Sequence, residues 1–354
     1  MCTLSLCMIV KNEEKTIGRC LDSVKGLFDE IIIVDTGSTD KTKEIVKKYT
    51  DNVYDFKWIN DFSAARNMAF SKATSDYLMW LDADDVVMTE DLKALKKLKK
   101  EMDLSVDVYM LKYNISFDNN GNPTFSYYRE RIMRRDKNFQ WQDKIHEYIP
   151  MNGNIVKEEI AITHKKEEVQ NSKRNLQIYE EMERNKDVFS PRNLYYYGRE
   201  LNDHGKVNKA IKVLQKFLDT NNGWVEDNIN ACVLLHSNYL KKGDEKKALN
   251  ALYQSFNYDI PRPKPCTIIG NYFQKRKNYN QAIYWYQQAV QNKDSDLGGF
   301  HEKDYGEFYP LLNLVVCYDL IGEKEKAIQL HELTKALNPS HPSVIHNDKY
   351  FNKE

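Results

Sequence analysis

Several common signatures are missing from this chain of 354 residues. No Gly-x-Gly-x-x-Gly follows the first apolar run and no Gly-x-x-x-x-Gly-Lys-Ser/Thr occurs anywhere, which argues against a dinucleotide-binding Rossmann domain and a P-loop enzyme. Net charge is lacking too. Lys plus Arg and Asp plus Glu each number 52, so no global basic field marks a nucleic-acid or anionic-membrane partner. No apolar run approaches the ~18 residues that span a bilayer, and the N-terminus enters Leu4 to Val10 without a cleavage pattern. A cytoplasmic protein with no membrane span is therefore expected. Its six cysteines are scattered, with neither Cys-x-x-Cys nor zinc-like histidine spacing, which leaves buried, reduced thiols as the expectation.

What is present falls into two halves, in keeping with a length beyond one typical domain of ~100 to 200 residues. The first half alternates. Leu4 to Val10, Ile31 to Val34, Val53 to Phe56 and Asp76 to Leu81 read as strands. Between them lie helical patterns carrying Ile17, Cys20, Leu21 and Val24, then about Lys41 to Tyr49, then Phe62 to Ala73. Such βαβ units predict a parallel sheet with its ligand site at the carboxyl ends of the strands. Lys11-Asn12, Asp35 and the acidic cluster Asp82-Ala83-Asp84-Asp85 would share that rim. Carboxylates gathered there call for a cation, and Mg²⁺ or Mn²⁺ suits an Asp-x-Asp that also meets a nucleotide diphosphate. An EF-hand is excluded because Val87 stands where its glycine must be. A phosphatase of the haloacid dehalogenase type would share Asp82-x-Asp84-x-Val86, yet three strands precede the cluster here and no later Gly-Asp-x-x-x-Asp follows.

Four ordered segments then carry a resemblance. They are Leu6-Cys7-Met8-Ile9-Val10-Lys11-Asn12-Glu13-Glu14, Ile33-Val34-Asp35-Thr36-Gly37-Ser38-Thr39-Asp40, Asp61-Phe62-Ser63-Ala64-Ala65-Arg66-Asn67 and Trp80-Leu81-Asp82-Ala83-Asp84-Asp85. Together they resemble the motifs of family-2 glycosyltransferases with a GT-A fold, over roughly residues 1 to 170. The resemblance implies an inverting transferase using a divalent metal and a nucleotide-diphosphate sugar, with UDP-sugar as the expected donor.

By the same resemblance Asp35 accepts a hydrogen bond from the base, with Val10 and Glu13 near base and ribose. Asp35 also reads as an Asx-turn residue before Gly37. Arg66 bonds the base or diphosphate, or pairs with Asp61. Asp82 reaches ribose or metal, Asp84 is the stronger metal ligand, Asp85 touches sugar hydroxyls, and His164, ending the run Ile160 to His164, supplies a further metal ligand. In Trp141-Gln142-Asp143-Lys144-Ile145-His146-Glu147, Glu147 is the expected base for the acceptor, Asp143 its rival, and Trp141 a flat face for the sugar. His146 would suffice for a thiol acceptor, whose reference pKa is ~8.5.

Beyond the charged stretch Lys165 to Glu168 the chain reads as amphipathic helices. Gly205 with Ala210, Gly243 with Ala248, Lys277 with Ala282 and Gly322 with Ala327 keep one offset, and the alanines step by 38 (248 minus 210), 34 (282 minus 248) and 45 (327 minus 282). These steps bracket the ~34-residue tetratricopeptide period. Pro261 to Pro265 reads as a spacer, and Lys93, Lys96, Lys97, Lys99 and Lys100 as a solvated helix face. The expected organisation is a GT-A domain over 1–170, a helical linker over 171–190 and tetratricopeptide-like repeats over 191–354. The layout is similar to that of peptide glycosyltransferases modifying Cys or Ser of glycopeptide bacteriocins, implying a peptide or protein acceptor and a homodimer through the repeats. Other readings are a saccharide or lipid-linked acceptor of the cell envelope and an inactive repeat scaffold.

Overall fold

The computed structural model describes residues 2–117, 121, 123–165, 173–293 and 303–352. The chain divides into two compact units, Met1–Asn185 and Lys186–Glu354. An α/β unit followed by an all-helical one is the expected fold class. The division falls inside the stretch expected as a linker, whereas the charged boundary at 166–168 lies outside the described residues.

Unit one runs β1 (Leu4–Val10), α1 (Ile17–Ser23), β2 (Glu30–Asp35), α2 (Thr42–Val46), β3 (Val53–Asp55), α3 (Phe62–Lys72), β4 (Tyr77–Trp80), β5 (Asp85–Val86), α4 (Thr89–Glu101), β6 (Val108–Phe117), β7 (Pro123–Arg134), β8 (Ile155–His164) and α5 (Arg174–Arg184). Its sheet has the order β3-β2-β1-β4-β7-β6-β8-β5. The first four strands are mutually parallel. Beyond β4 the expected parallel sheet becomes mixed: β7 pairs antiparallel with β4 and with β6, to which it is joined too closely for a crossover helix, β8 pairs parallel with β6, and β5 antiparallel with β8. The period of two along β1 sends Leu4, Leu6, Met8 and Val10 into one core and Cys7 into the other, so the sheet is apolar on both faces.

Local chemistry sets the helix ends near the rim. Asp61 caps α3, its Oδ1 accepting from the Ala64 amide at 2.9 Å and the Ser63 hydroxyl at 2.7 Å. On α4, Glu90 and Asp91 lie in the first turn and Lys99 and Lys100 in the last, as the helix dipole favours. Lys99 departs from the solvated face expected of it: its ammonium reaches the Leu27 carbonyl and Asp29, each at 2.7 Å.

Unit two comprises α6 (Pro191–Asp203), α7 (Val207–Asp219), α8 (Val225–Lys241), α9 (Glu245–Gln254), α10 (Pro263–Lys275), α11 (Tyr279–Gln291), α12 (Lys303–Gly306), α13 (Phe308–Leu320), α14 (Lys324–Leu337) and α15 (Pro342–Phe351). Helices pair as α6 with α7, α8 with α9, α10 with α11 and α13 with α14. The aligned alanines Ala210, Ala248, Ala282 and Ala327 are all fully buried, as close helix approach requires. The residue five before each is a left-handed turn. Gly205, Gly243 and Gly322 have φ of 69°, 74° and 88°, and Lys277 takes 61° in the same role. Pro263 opens α10 rather than forming a spacer, since the first helical turn tolerates a missing amide hydrogen.

Two tests follow from this unit. Gly243→Ala should cost about 1–2 kcal/mol in urea unfolding, the price of a Cβ in the left-handed region, whereas Lys277→Gly should add up to about 1 kcal/mol. The second concerns Asp227 on α8. Burial pushes its carboxyl up to about 6 despite Arg192 and Arg199, and Glu226 pushes the same way. The unfolded chain releases this proton near the ordinary 3.8 and the folded chain only near 6. Stability of the unit should therefore fall as the pH rises between those values, by about 1–3 kcal/mol, and Asp227→Asn should flatten the curve.

Candidate active site

The carboxyl ends of β1, β2 and β4 open onto a cleft of about 420 Å³ within unit one. Its first end is built by two loops laced together. Asn12, left-handed at φ 56°, takes the Thr39 amide on its Oδ1 at 2.8 Å, and its own amide donates to the Ser38 hydroxyl at 3.0 Å. The Glu13 amide donates to Thr42 at 2.7 Å and the Glu14 amide to Asp40 at 3.1 Å. Val10 lines the cleft, but its carbonyl already accepts from the Thr36 amide at 2.9 Å. Glu13 also lines it; burial above all pushes its carboxyl up, with Asp84, Asp82 and Asp40 adding, against a 2.6 Å bond from Thr16.

The Asx-turn reading of Asp35 is the one the structure shows. Its Oδ1 accepts the Gly37 and Ser38 amides, each at 2.9 Å, which is the Asx turn. Its Oδ2 is buried without a partner. An orphaned buried acceptor is costly, and the next residue, Thr36, lines the cleft.

The acidic edge is organised by two buried arginines. Arg66, on α3, donates from Nη2 to Asp82 Oδ1 and from Nε to Glu147 Oε1, each at 2.7 Å. It thus bridges the expected ribose or metal carboxylate to the expected base, and it does not pair with Asp61, whose carboxylate caps the helix. Trp80 and Trp141 flank the guanidinium, ring centroids 5.1 and 4.8 Å from Cζ. Burial opposes the charge on Arg66, yet Asp82 and Glu147 outweigh it. Asp82 mirrors this: burial would raise its carboxyl, but Arg66 and Arg131 bring it below the ordinary range. Arg131, on β7, is fully buried and donates to Asp85 Oδ2 at 3.0 Å and to the Trp80 carbonyl at 3.2 Å.

Asp85 corrects an expectation. It is fully buried and turned away from the cleft, its Oδ2 accepting from Arg131 and the Asp82 amide and its Oδ1 from the Tyr113 hydroxyl at 2.9 Å. It braces the acidic turn and does not reach sugar hydroxyls. The cause is the backbone: β5 pairs antiparallel with β8, Asp85 opposite His164. That register also delivers His164 to the cluster, with Nδ1 3.5 Å from Asp84 Oδ1 and 3.7 Å from Asp85 Oδ1.

Among the described residues, Asp84, Asp85 and His164 form one of two groups able to hold a metal ion. With Asp85 occupied by internal donors, Asp84 and His164 are the side chains that face the cleft, and two oxygen or nitrogen donors of this kind fit a hard divalent cation. Charge balance agrees. Burial above all pushes the Asp84 carboxyl up, with His164 opposing and Asp82 and Asp85 assisting. His164 is pushed up chiefly by Asp85, with burial opposing and Asp84 assisting. The second group, His331 with Glu332 and Asp348, lies in the helical unit, where Lys335 also bonds Asp348 at 2.9 Å.

Glu147 sits on a tight loop closed by the bridge of Gln142 with Tyr148. Asp143 and His146 adopt left-handed φ of 69° and 52° in it, a strained backbone held by outside contacts. The Lys144 carbonyl accepts from the Phe62 amide at 2.8 Å, Asn67 brackets the Trp141 backbone at 2.8 and 3.0 Å, and the His146 ring stacks on Tyr179 of α5. His146 and Glu147 line the cleft; Asp143 does not. Trp141 is a second correction. Only 3 % exposed, it packs edge-on against Trp80 at 5.0 Å and lies under Arg66, so it offers no face to a sugar.

Arg131 and Tyr113 escaped the sequence reading, as did Arg174 and Asn175, which line the cleft from α5. For Arg131 a signal existed: Arg129 and Arg131 sit two apart on one strand and so share a face, and an interior strand rarely carries two arginines without buried acids to meet them.

Residues 5–158 match the family model described as Glycosyl transferase family 2. Over 265 residues the chain is 32% identical to the SPbeta prophage-derived glycosyltransferase SunS of Bacillus subtilis (strain 168), covering 71% of this chain and 57% of that protein. A TPR repeat-containing protein of Synechococcus elongatus is 43% identical over 103 residues, 29% of this chain and 25% of that one. The chain thus spans little more than half the length of SunS and a quarter of the second relative. Among solved structures, S. aureus TarS 1–349 in complex with UDP-GlcNAc aligns with 71% of this chain and 90% of its own at 16% identity and a TM-score of 0.41.

The Arg66 bridge generates a stability test. Arg66→Met should lower stability by about 3 kcal/mol in urea unfolding, because two carboxylates lose their counter-charge at a buried site. Adding Glu147→Gln and Asp82→Asn should recover part of the loss.

Proposed function

We propose, from the premise that residues 5–158 form a domain of glycosyl transferase family 2, that this protein transfers a sugar from a UDP-sugar to a peptide or protein acceptor with inversion, using a divalent cation. The observation that carries the reading is one cleft lined by Val10, Glu13 and Thr36 and by Asp84, His164 and Glu147, with the unpartnered buried Oδ2 of Asp35 on the residue just before Thr36. An imide N–H of the uracil type is the donor that an unpaired carboxylate oxygen suits. Glu13 and the Val10 backbone stand beside it, and Asp82, fixed by Arg66, faces ribose or diphosphate.

Asp84 and His164 would hold Mn²⁺ or Mg²⁺, which when bound supplies positive charge for the diphosphate leaving group. The rest of the chemistry belongs to the chain. Glu147 takes the proton from the acceptor hydroxyl or thiol as its oxygen or sulfur bonds the anomeric carbon. The bond from that carbon to the diphosphate oxygen breaks on the opposite face, and the electron pair leaves with the nucleotide. Arg66 orients Glu147 from its Oε1, leaving Oε2 for the proton; His146 beside it serves a thiol acceptor. The paired helices of unit two support a peptide acceptor, since stacked helix pairs form surfaces suited to extended chains. Exposed Leu320, Leu333 and Leu337 support self-association through the same unit. The free cysteines support a reducing, cytoplasmic setting, and no described helix is long and apolar enough to cross a membrane.

Incubation with Mn²⁺, a panel of UDP- and GDP-sugars and Cys- or Ser-containing peptides should give a peptide mass increase of one sugar. Asp84→Asn should abolish this turnover, and Glu147→Gln should lower kcat by about 10²–10⁴-fold while UDP still raises the thermal midpoint. Transfer only to saccharides would overturn the peptide acceptor, and no transfer or hydrolysis with any donor would favour a scaffold.

A further inference from the structure

We infer that Tyr113 is a positioning residue that fixes the tautomer of His164, so that the imidazole presents Nε2 and not Nδ1 to a divalent cation. The inference rests on the cation site proposed above. The Tyr113 hydroxyl lies 2.9 Å from Asp85 Oδ1 and 2.9 Å from His164 Nδ1. It has one proton and two claimants.

Asp85 decides between them. Its other oxygen receives the Arg131 guanidinium and the Asp82 amide, each at 3.0 Å, and both can only donate. A carboxylate so paired is an acceptor and has no proton to offer Tyr113. The hydroxyl proton therefore points to Asp85, and the phenol oxygen accepts from His164 Nδ1–H. A neutral imidazole protonated on Nδ1 carries its lone pair on Nε2. The nitrogen nearest Asp84 is thus already engaged, and the ligand atom is the other one.

The relay is rigid. Tyr113 is buried, its ring stands edge-on to His164 at 5.7 Å and to Tyr127 at 5.9 Å, and the Arg131 guanidinium lies 4.5 Å from its centroid. Its strand β6 pairs with β8 in the register Tyr113 to Ile162, which sets the hydroxyl beside His164. Ring orientation and proton position are both determined before a cation arrives. Outer partners of this kind sharpen metal affinity without touching the metal.

The test uses the full chain. In protein labelled with ¹⁵N-histidine, free of metal and held well above the ordinary histidine pKa, the His164 resonances, identified by their loss in His164→Gln, should show a pyrrole-like Nδ1 and a pyridine-like Nε2. Tyr113→Phe should shift this pattern towards the other tautomer and weaken Mn²⁺ binding, followed by the free-ion EPR signal, by about 10- to 100-fold. A pyridine-like Nδ1 in the unsubstituted protein overturns the inference, as does a folded Tyr113→Phe whose Mn²⁺ affinity stays within about twofold. An unsubstituted protein that binds no Mn²⁺ defeats the cation reading instead, and the tautomer still decides this one.

Discussion

Four carboxylates, Asp82, Asp84, Asp85 and Glu147, crowd the end of β4, and their mutual repulsion is the constraint around which unit one is organised. Two buried arginines divide the load. Arg66 ties Asp82 to Glu147, and Arg131 ties Asp85 to the Trp80 carbonyl. Trp80 lies beside both guanidiniums, 5.1 Å from the first and 3.8 Å from the second. Asp84 is bonded by neither arginine; burial pushes its carboxyl up, and of its charged neighbours His164 alone opposes this. The deficit of positive charge is local to the position where a cation would serve the proposed reaction.

The alternation of strands and helices made the rim legible in the sequence, because period-two and helical patterns are local properties and parallel strands must end at a common edge. Asp35, Asp82 and Asp84 were placed at that edge by the alternation, whereas Arg66, Glu147 and His164 came forward through the family resemblance. What escaped depended on strand pairing. Asp85 was expected at sugar hydroxyls, but two residues of β5 pair with β8 and turn its side chain inward. Trp141 looked like a stacking surface, yet Asn67 clamps its backbone and draws the ring beneath Arg66. A sequence pattern reports which residue types are present; whether an aromatic or an acid faces solvent or core is settled by long-range register, which one sequence does not encode legibly.

In the helical unit the legible feature was a spacing, and the structure supplies its reason. The aligned alanines are fully buried, and the residue five earlier is the left-handed stop of the preceding helix. Lys277 keeps that conformation without glycine's freedom, so the repeat is defined by backbone shape more than by residue identity. Aromatics such as Tyr195 and Tyr286 are buried between helices, which is the packing role expected of most of them.

The pairing of Asp85 with His164 has a consequence for how the protein is made. One member belongs to the fifth strand and the other ends the eighth, after the long β6–β7 hairpin has closed, so the contact is among the most non-local in the unit. During synthesis the acidic turn emerges well before the histidine that faces it. The proposed pairing of Asp84 with His164 is consequently absent from any partly folded chain lacking β8, so the site is assembled only when the sheet is complete.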